Sequence, residues 1–330
     1  MATYSIFKLR NLTPFHIGTG KENYDFSSAE LHSDTLSAAI AAIGVQSGRI
    51  TDVKGFMDSF VLSSAFPYMN GQYFLPKPQG RINVKVNGRE EHEYRKQLKK
   101  IRYVESSLWN CLIGGDELHV KPEQLQDAFL VADDDGFKKP FKNQVNQRVG
   151  VPRDGSDAEP FFFNWTYYES NAGLYCMIDA EESVVKEIEI LFSMLGESGL
   201  GTDKNVGGGK FNVELLSDMI TIGPVADANA NMLLSLYIPT ETELETLNLK
   251  NSRYELLQRN GYMAGSVNEN YRHLRKKTVY MFNVGSIFNT LTPMRGKIVD
   301  LKPDWNEVEM HPVYRSGKPF VVPVKLSDYE

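Results

Sequence analysis

The sequence predicts an α+β fold made of two ferredoxin-like, that is βαββαβ, domains. Three observations carry this. Strand and helix periodicities in the first 216 residues run in the order strand, helix, hairpin, strand, helix, glycine-rich loop, strand. A second series of strand and helix signals starts after Ser217. The chain has 330 residues, 42% hydrophobic and 24% charged, which is enough apolar mass for two cores.

Residues 3–9 (Thr-Tyr-Ser-Ile-Phe-Lys-Leu) are the expected opening strand. A turn follows in Thr13-Pro14-Phe15-His16-Ile17-Gly18-Thr19-Gly20, where glycine suits close backbone approach. Leu36, Ala39, Ile40 and Ile43 then recur at helical spacing, with Ser33 or Asp34 as the expected cap and Gly44 as the stop. Asn70-Gly71 between aromatic runs predicts a two-residue hairpin, and Asn87-Gly88 after the alternating basic strand 81–86 predicts another. Residues 94–109 read as partly helical, and the polar stretch 132–160 reads as a long excursion without periodicity. A buried strand is expected at 173–179. An amphipathic helix is expected at 181–195, with Val184, Val185, Ile188, Leu191, Phe192 and Leu195 on one face and a stop at Gly196. The strand 210–216 closes the first domain, 1–216, which therefore carries an insertion at about 77–160 and a glycine-rich loop at 196–210. The second domain, 217–330, is read as strand 232–238, helix 240–249 and strands near 279–283, 297–301 and 320–324.

No window reaches 18 consecutive apolar residues, and the N-terminus lacks a basic, then apolar, leader, so neither a membrane span nor a signal peptide is expected. Cys111 and Cys176 are the only cysteines, which argues against disulfide scaffolds and CxxC sites and fits a reducing cytoplasm. The net charge of −6 argues against a general nucleic-acid coat, but its distribution is uneven. Segment 77–102 holds nine basic and three acidic residues, a local net of +6, and segment 138–153 holds five basic residues and no acid, a local net of +5. With those tracts set aside, the rest of the chain carries −17, a surface suited to a basic protein partner.

Six glycines fall within residues 196–209. Such a loop suits an anion, but the nucleotide fingerprints fail. Lys204 stands where both a Walker A loop and GxGxxG need glycine, Phe211 replaces the magnesium-binding hydroxyl, and the order is helix–loop–strand rather than strand–loop–helix.

Several segments together carry a family likeness: His16-Ile17-Gly18-Thr19-Gly20, His32-Ser33-Asp34-Thr35-Leu36, Leu75-Pro76-Lys77-Pro78, the loop from Gly199 to Phe211, Tyr280–Ser286 and His311–Phe320. They span nearly the whole chain, which resembles the CRISPR-associated RAMP superfamily and, within it, the subunits that cap the crRNA 5′ handle in type III-A (Csm) effector complexes. The resemblance implies two RRM-like domains, binding of the repeat-derived 5′ handle, docking to the large polymerase-like subunit and to a backbone subunit, and no RNA cleavage. Lys204-Asn205-Val206 departs from the family's usual Arg-Ser and small residue but keeps the charge.

The candidate RNA contacts are His16, Gly18, Gly20, Ser33, Lys77, Lys99, Lys100, Asn146, Arg148, Gly199, Gly201, Lys204, Gly207, Gly208, Gly209, Lys210, Arg315 and Gly317. Arginine offers a planar fork for phosphates and base edges, and Arg315 with Gly317 is expected to hold the handle's 5′ end near the large subunit. Ser33 doubles as a helix cap beside a glycine turn, a place where free N–H groups meet anions. Phe161-Phe162-Phe163-Asn164-Trp165 reads either as a core strand or as a platform for splayed bases. His16 is the one candidate general base, for a metal-independent endoribonuclease as the alternative function, but no second catalytic group shares its motif apart from His32. The other histidines lack metal-ligand spacing, and Asp133-Asp134-Asp135 lacks the spaced ligands of a calcium loop, so no catalytic residue, metal or cofactor is expected.

Overall fold

The computed structural model describes the chain except for residues 1–3, 19–23, 29, 134, 152–156, 217–221, 264, 305–309 and 327–330. Gly20, the middle of the Asp133–Asp135 run and the expected domain boundary at 217 lie outside the described residues. The fold is mixed α+β. Its main sheet starts with the strands Asn212–Leu216, Ser5–Arg10, Ala172–Ala180 and Phe66–Met69, side by side and antiparallel. It continues through Gln72–Pro76, Tyr103–Glu105, Phe129–Leu130 and Leu125–Gln126.

Alternation along the central strands assigns their two faces. Phe7, Leu9, Leu174, Cys176 and Ile178 point to one side and pack under the helices Ser33–Gln46 and Glu182–Ser198, through Leu36, Ile40, Val185, Ile188, Leu191 and Phe192. Ile6, Tyr175 and Met177 point to the other side, where they meet Ala230, Met232, Leu234, Phe320 and Val322 of the second half. Both faces are dry, so strand 172–180 reads as a continuous apolar run. The two halves share one core rather than presenting separate surfaces.

The Asn70-Gly71 hairpin forms, with Met69 opposite Gln72 and both turn residues at positive φ (49° and 85°). Elsewhere the structure departs from the expectations. Asn87-Gly88 does not close a hairpin: Val84–Val86 pairs in parallel with Leu118–Val120, and the chain enters the helix Glu91–Lys100 through a Glu90/Glu93 capping box. The stretch 132–160 is no structureless excursion. Its strand Phe141–Gly150 pairs along its whole length with Glu159–Tyr168. That strand is exposed on both faces over much of its length, so it carries no apolar alternation. The helix expected to stop at Gly196 runs to Ser198. Gly196 is a close-approach position instead, since a Cβ there would lie 2.3 Å from the Phe211 carbonyl oxygen. In the second half, Ala230–Leu233 lies between Ile287–Phe288 and Val321–Val324. The described residues there hold a single α-helix, Glu241–Thr246, so a full βαββαβ order is not what they form.

The halves are tied by Asp34, which is fully buried in the first turn of helix Ser33–Gln46. Its carboxylate accepts from Arg259 (Nε, 2.9 Å; Nη2, 3.1 Å) and from Arg315 Nη1. Arg259 also donates to Thr35 Oγ1 at 2.8 Å. Burial alone would raise the Asp34 pKa, but the two guanidinium groups hold it well below the usual carboxylate range. Ser33 is not a cap: His32 holds that position, and the Ser33 N–H donates to Ser64 Oγ while its own Oγ accepts from Leu236 N–H. Arg315 and Gly317 also depart from the sequence reading. Arg315 is buried on Asp34, and Gly317 packs where a Cβ would sit 2.5 Å from Ile238. Both serve the interior: Arg315 supplies a cation to Asp34 across the halves, and Gly317 lets the backbone pack closely on Ile238 within the second half.

Lys276 is partly buried beside this cluster, and burial together with Arg315 lowers its pKa to about 7, with Asp34 opposing. Removing Asp34 would strand the buried Arg315 and the part-buried Arg259, so Asp34→Ala should cost about 3–5 kcal/mol in urea unfolding. The Asp34 contribution is present above pH of about 4 and falls away below it, because its folded pKa is depressed. Lys276 has the same pH direction but the opposite sign of contribution, because its charged form is the one that burial penalises. Its folded pKa lies below the unfolded value of about 10.4, so the folded state binds fewer protons and stability rises with pH from about 7 to 10. Lys276→Met should stabilise the protein at pH 7 and lose that advantage towards pH 10; an equal effect at both would contradict the charge argument.

Candidate nucleic-acid interface

The glycine-rich loop closes on the segment Thr13–His16. Gly209 N–H donates to the Pro14 carbonyl (2.9 Å), Thr202 N–H to that of His16 (3.0 Å) and Thr13 N–H to that of Lys210 (2.9 Å). Within the loop, Leu200 N–H donates to Gly209 (2.9 Å) and Leu200 is buried. The glycines are needed for this packing. A Cβ on Gly209 (φ 72°) would fall 1.8 Å from the Leu200 oxygen, and one on Gly201 would fall 2.4 Å from the His16 oxygen. At Gly208 it would meet the Trp165 ring at 2.7 Å, and at Gly199 the Gly208 oxygen at 2.6 Å. The N–H groups of Gly207, Gly208 and Gly209 already donate to Lys204, Asp203 and Pro14. The loop therefore does not offer those amides to an anion. It offers the exposed side chains of Lys204 and Lys210, with Asn205 and Val206 between them.

Segment 13–17 lies between this loop and the strand pair 141–150 and 159–168, bonded to the latter through Phe15 and Thr166 (2.9 and 2.8 Å). The register places Asn146 opposite Phe163 and Arg148 opposite Phe161 on one hairpin face. Phe163 is the hub of that face. His16 lies 4.4 Å from it, Tyr24 stacks on it at 5.8 Å, Trp165 lies 4.8 Å away, and the Arg148 guanidinium sits 4.5 Å over its ring. Arg148 also lies 5.4 Å from the Trp165 ring and pairs with Asp203 in the glycine loop. Phe163 and Trp165 are buried, as a core strand requires, whereas Tyr24 and Phe162 are half exposed, Phe162 on the opposite hairpin face.

His16 is buried, with Nδ1 2.8 Å from the Asn164 carbonyl, which requires a proton on that nitrogen. Burial lowers its pKa. It is a neutral, oriented packing group. Gly18 is exposed, with nothing within 4 Å of its would-be Cβ.

Lys77 and Lys99 belong to a second surface. Both line a cavity of about 440 Å³ with Arg81, Lys85, Arg95 and Tyr94. Both also line a cavity of about 410 Å³ between the halves, with His32, Arg102, Glu255 and Asn283. Lys77 Nζ donates to the Leu98 carbonyl (3.4 Å), and burial lowers its pKa. Lys100 is exposed on the same helix but lines neither cavity. Part of the +6 tract is neutralised locally, Arg81 by Glu91 (2.9 Å) and Lys85 by Glu117 (2.8 Å). The structure thus joins His16, Asn146, Arg148 and the loop at 199–210 in one surface and Lys77 and Lys99 in another, while Ser33, Arg315 and Gly317 are interior. Sequence reasoning missed Tyr24 and Asp203, because neither has a local pattern that announces a partner more than 50 positions away. Among the described residues no group of three His, Cys, Asp or Glu side chains is placed to hold a metal ion, and no helix is long and apolar enough to cross a membrane.

The surroundings of the loop rank its glycines. Gly207→Ala meets open space and costs only the strain of its positive φ, about 1–2 kcal/mol. Gly209→Ala must displace the Leu200 backbone and should melt the protein at a clearly lower temperature. Equal melting temperatures for the two variants would show that the loop does not hold the packing described.

The CRISPR Csm4 C-terminal domain family matches residues 226–324. The CRISPR system Cms protein Csm4 of Mycobacterium tuberculosis (strain ATCC 25618 / H37Rv) is 26% identical over 303 residues, covering 91% of this chain and 92% of that protein. Its namesake from Thermococcus onnurineus (strain NA1) is 24% identical over 248 residues, covering 73% and 77%. Among solved structures, a chain of a Csm1–Csm4 cassette in complex with cA4 superposes with TM-score 0.63 at 20% identity, over 99% of this chain and 100% of that one. A chain of a Csm3–Csm4 subcomplex of a type III-A CRISPR-Cas interference complex gives TM-score 0.61 at 17% identity, over 98% and 100%. The fold is shared along the whole length, and in sequence the chain is similar to the CRISPR Csm4 proteins, its residues 226–324 matching their C-terminal domain family.

Proposed function

We propose that this protein is a non-catalytic, RNA-binding subunit of a type III CRISPR effector complex, in which it caps the repeat-derived 5′ handle of the crRNA. The observation that carries the reading is Arg148, held over Phe163 and Trp165 beside the exposed Lys204 and Lys210. A guanidinium on an aromatic platform, flanked by lysines, suits a single-stranded backbone with splayed bases. The basic surface around Lys77 and Lys99 extends the same chemistry. The relatives named Csm4 and the neighbours solved with Csm1 and with Csm3 support the expected partners, a large polymerase-like subunit and a backbone subunit. The order of the first four strands of the main sheet, with two helices on one face, supports a ferredoxin-like first domain. The family match beginning at residue 226 supports a division near 217. Burial of His16 and the bond fixing its Nδ1 speak against the endoribonuclease alternative.

A labelled single-stranded RNA bearing the handle tests this. Arg148→Ala should weaken binding by about 1–3 kcal/mol, the range of one stacked group. Lys99→Ala with Lys100→Ala should flatten the salt dependence by about one log unit for each phosphate that is no longer neutralised. Salt-independent binding, or metal-free cleavage of repeat RNA that disappears in His16→Ala, would overturn the reading.

A further inference from the structure

Asp203 is the one carboxylate between residues 199 and 213, in a loop whose outward side chains are otherwise cationic, amide or apolar. It sits at φ 62°, a left-handed backbone that aspartate tolerates better than most residues. Its carbonyl accepts from Val206 and Gly208 (3.1 and 3.2 Å), which holds the residue in place. Its carboxylate reaches across to the hairpin and takes Arg148 Nη1, the guanidinium that lies over Phe163 and Trp165. The two side chains are 29% and 34% exposed, so the pair stands at the surface and an incoming anion can reach it.

A carboxylate and a phosphate ask the same thing of a guanidinium: a planar fork of N–H donors. Phosphate binding at Arg148 must therefore displace Asp203 or work against its charge. We propose that Asp203 is an autoinhibitory stand-in for an RNA phosphate, occupying Arg148 in the free protein and yielding it to the backbone of a bound single strand. The arrangement sets a threshold. An isolated anion gains too little to displace a tethered carboxylate, whereas a strand also held by Lys204 and Lys210 gains enough. The inference rests on the RNA-binding reading above and adds to it a competitor that the relatives' names do not specify.

The test measures binding of a 5′-labelled single-stranded octanucleotide, of handle sequence and of uridine only, to the full chain, with Asp203→Asn, Arg148→Ala and the double variant alongside. Asn keeps the left-handed backbone and the carbonyl bonds while removing the charge. Asp203→Asn should bind both RNAs about threefold to tenfold more tightly, with a salt dependence steeper by about one log unit, and should melt near the wild-type temperature. That gain should vanish in the Arg148→Ala background. Unchanged or weaker binding by Asp203→Asn, or an equal gain without Arg148, would overturn the proposal while leaving RNA binding intact. No RNA binding by either the wild type or Asp203→Asn would overturn both readings.

Discussion

Asp34 is a carboxylate without access to water, and its charge is tolerated only because two guanidinium groups from the other half of the chain reach it. Neither half could bury its share alone: Asp34 without Arg259 and Arg315 would be an uncompensated anion, and the arginines without Asp34 would be buried cations. The tie sits at the start of helix Ser33–Gln46, which also packs on the central strands, so it joins the second half to the helix layer of the sheet. The cavity lined by His32, Lys77 and Arg102 from one half and by Glu255 and Asn283 from the other lies where the halves meet. The shared core of Ile6, Tyr175, Met232 and Phe320 adds area, and the ion pairs add register.

The candidate RNA surface follows a different logic. Phe163 is buried and contributes to stability, yet it is also the ring around which His16, Tyr24, Trp165 and Arg148 are arranged. A cation on a rigid ring has lost much of its rotamer freedom before any ligand arrives, which lowers the entropic cost of binding. The glycine loop serves the same end. Its amides and glycines are used in closing against residues 13–16 and Trp165, and what remains outward is charge.

Local patterns did determine much of the first half: the strand at 173–179, the hairpin at Asn70-Gly71 and the two long helices each depend on neighbours a few residues away, where periodicity and turn chemistry act directly. The resemblance to RAMP proteins likewise rests on short motifs in order. Local pattern failed where the deciding interaction was distant. Strand Phe141–Gly150 is exposed on both faces over much of its length and is defined by its partner, while Gly196 reads as a stop but serves the close approach of Phe211. Arg315 looks like an exposed anchor until Asp34, 281 positions away, claims it, and Arg148 looks like one more surface cation until Asp203, 55 positions away, pairs with it above an aromatic ring. By itself, the sequence determined the central strands and long helices of the first half and where positive charge concentrates, because those depend on residues close in the chain. Tertiary structure alone decided which cations are paired inside and which remain for a ligand, because an ion pair forms between groups that packing, not chain order, brings together.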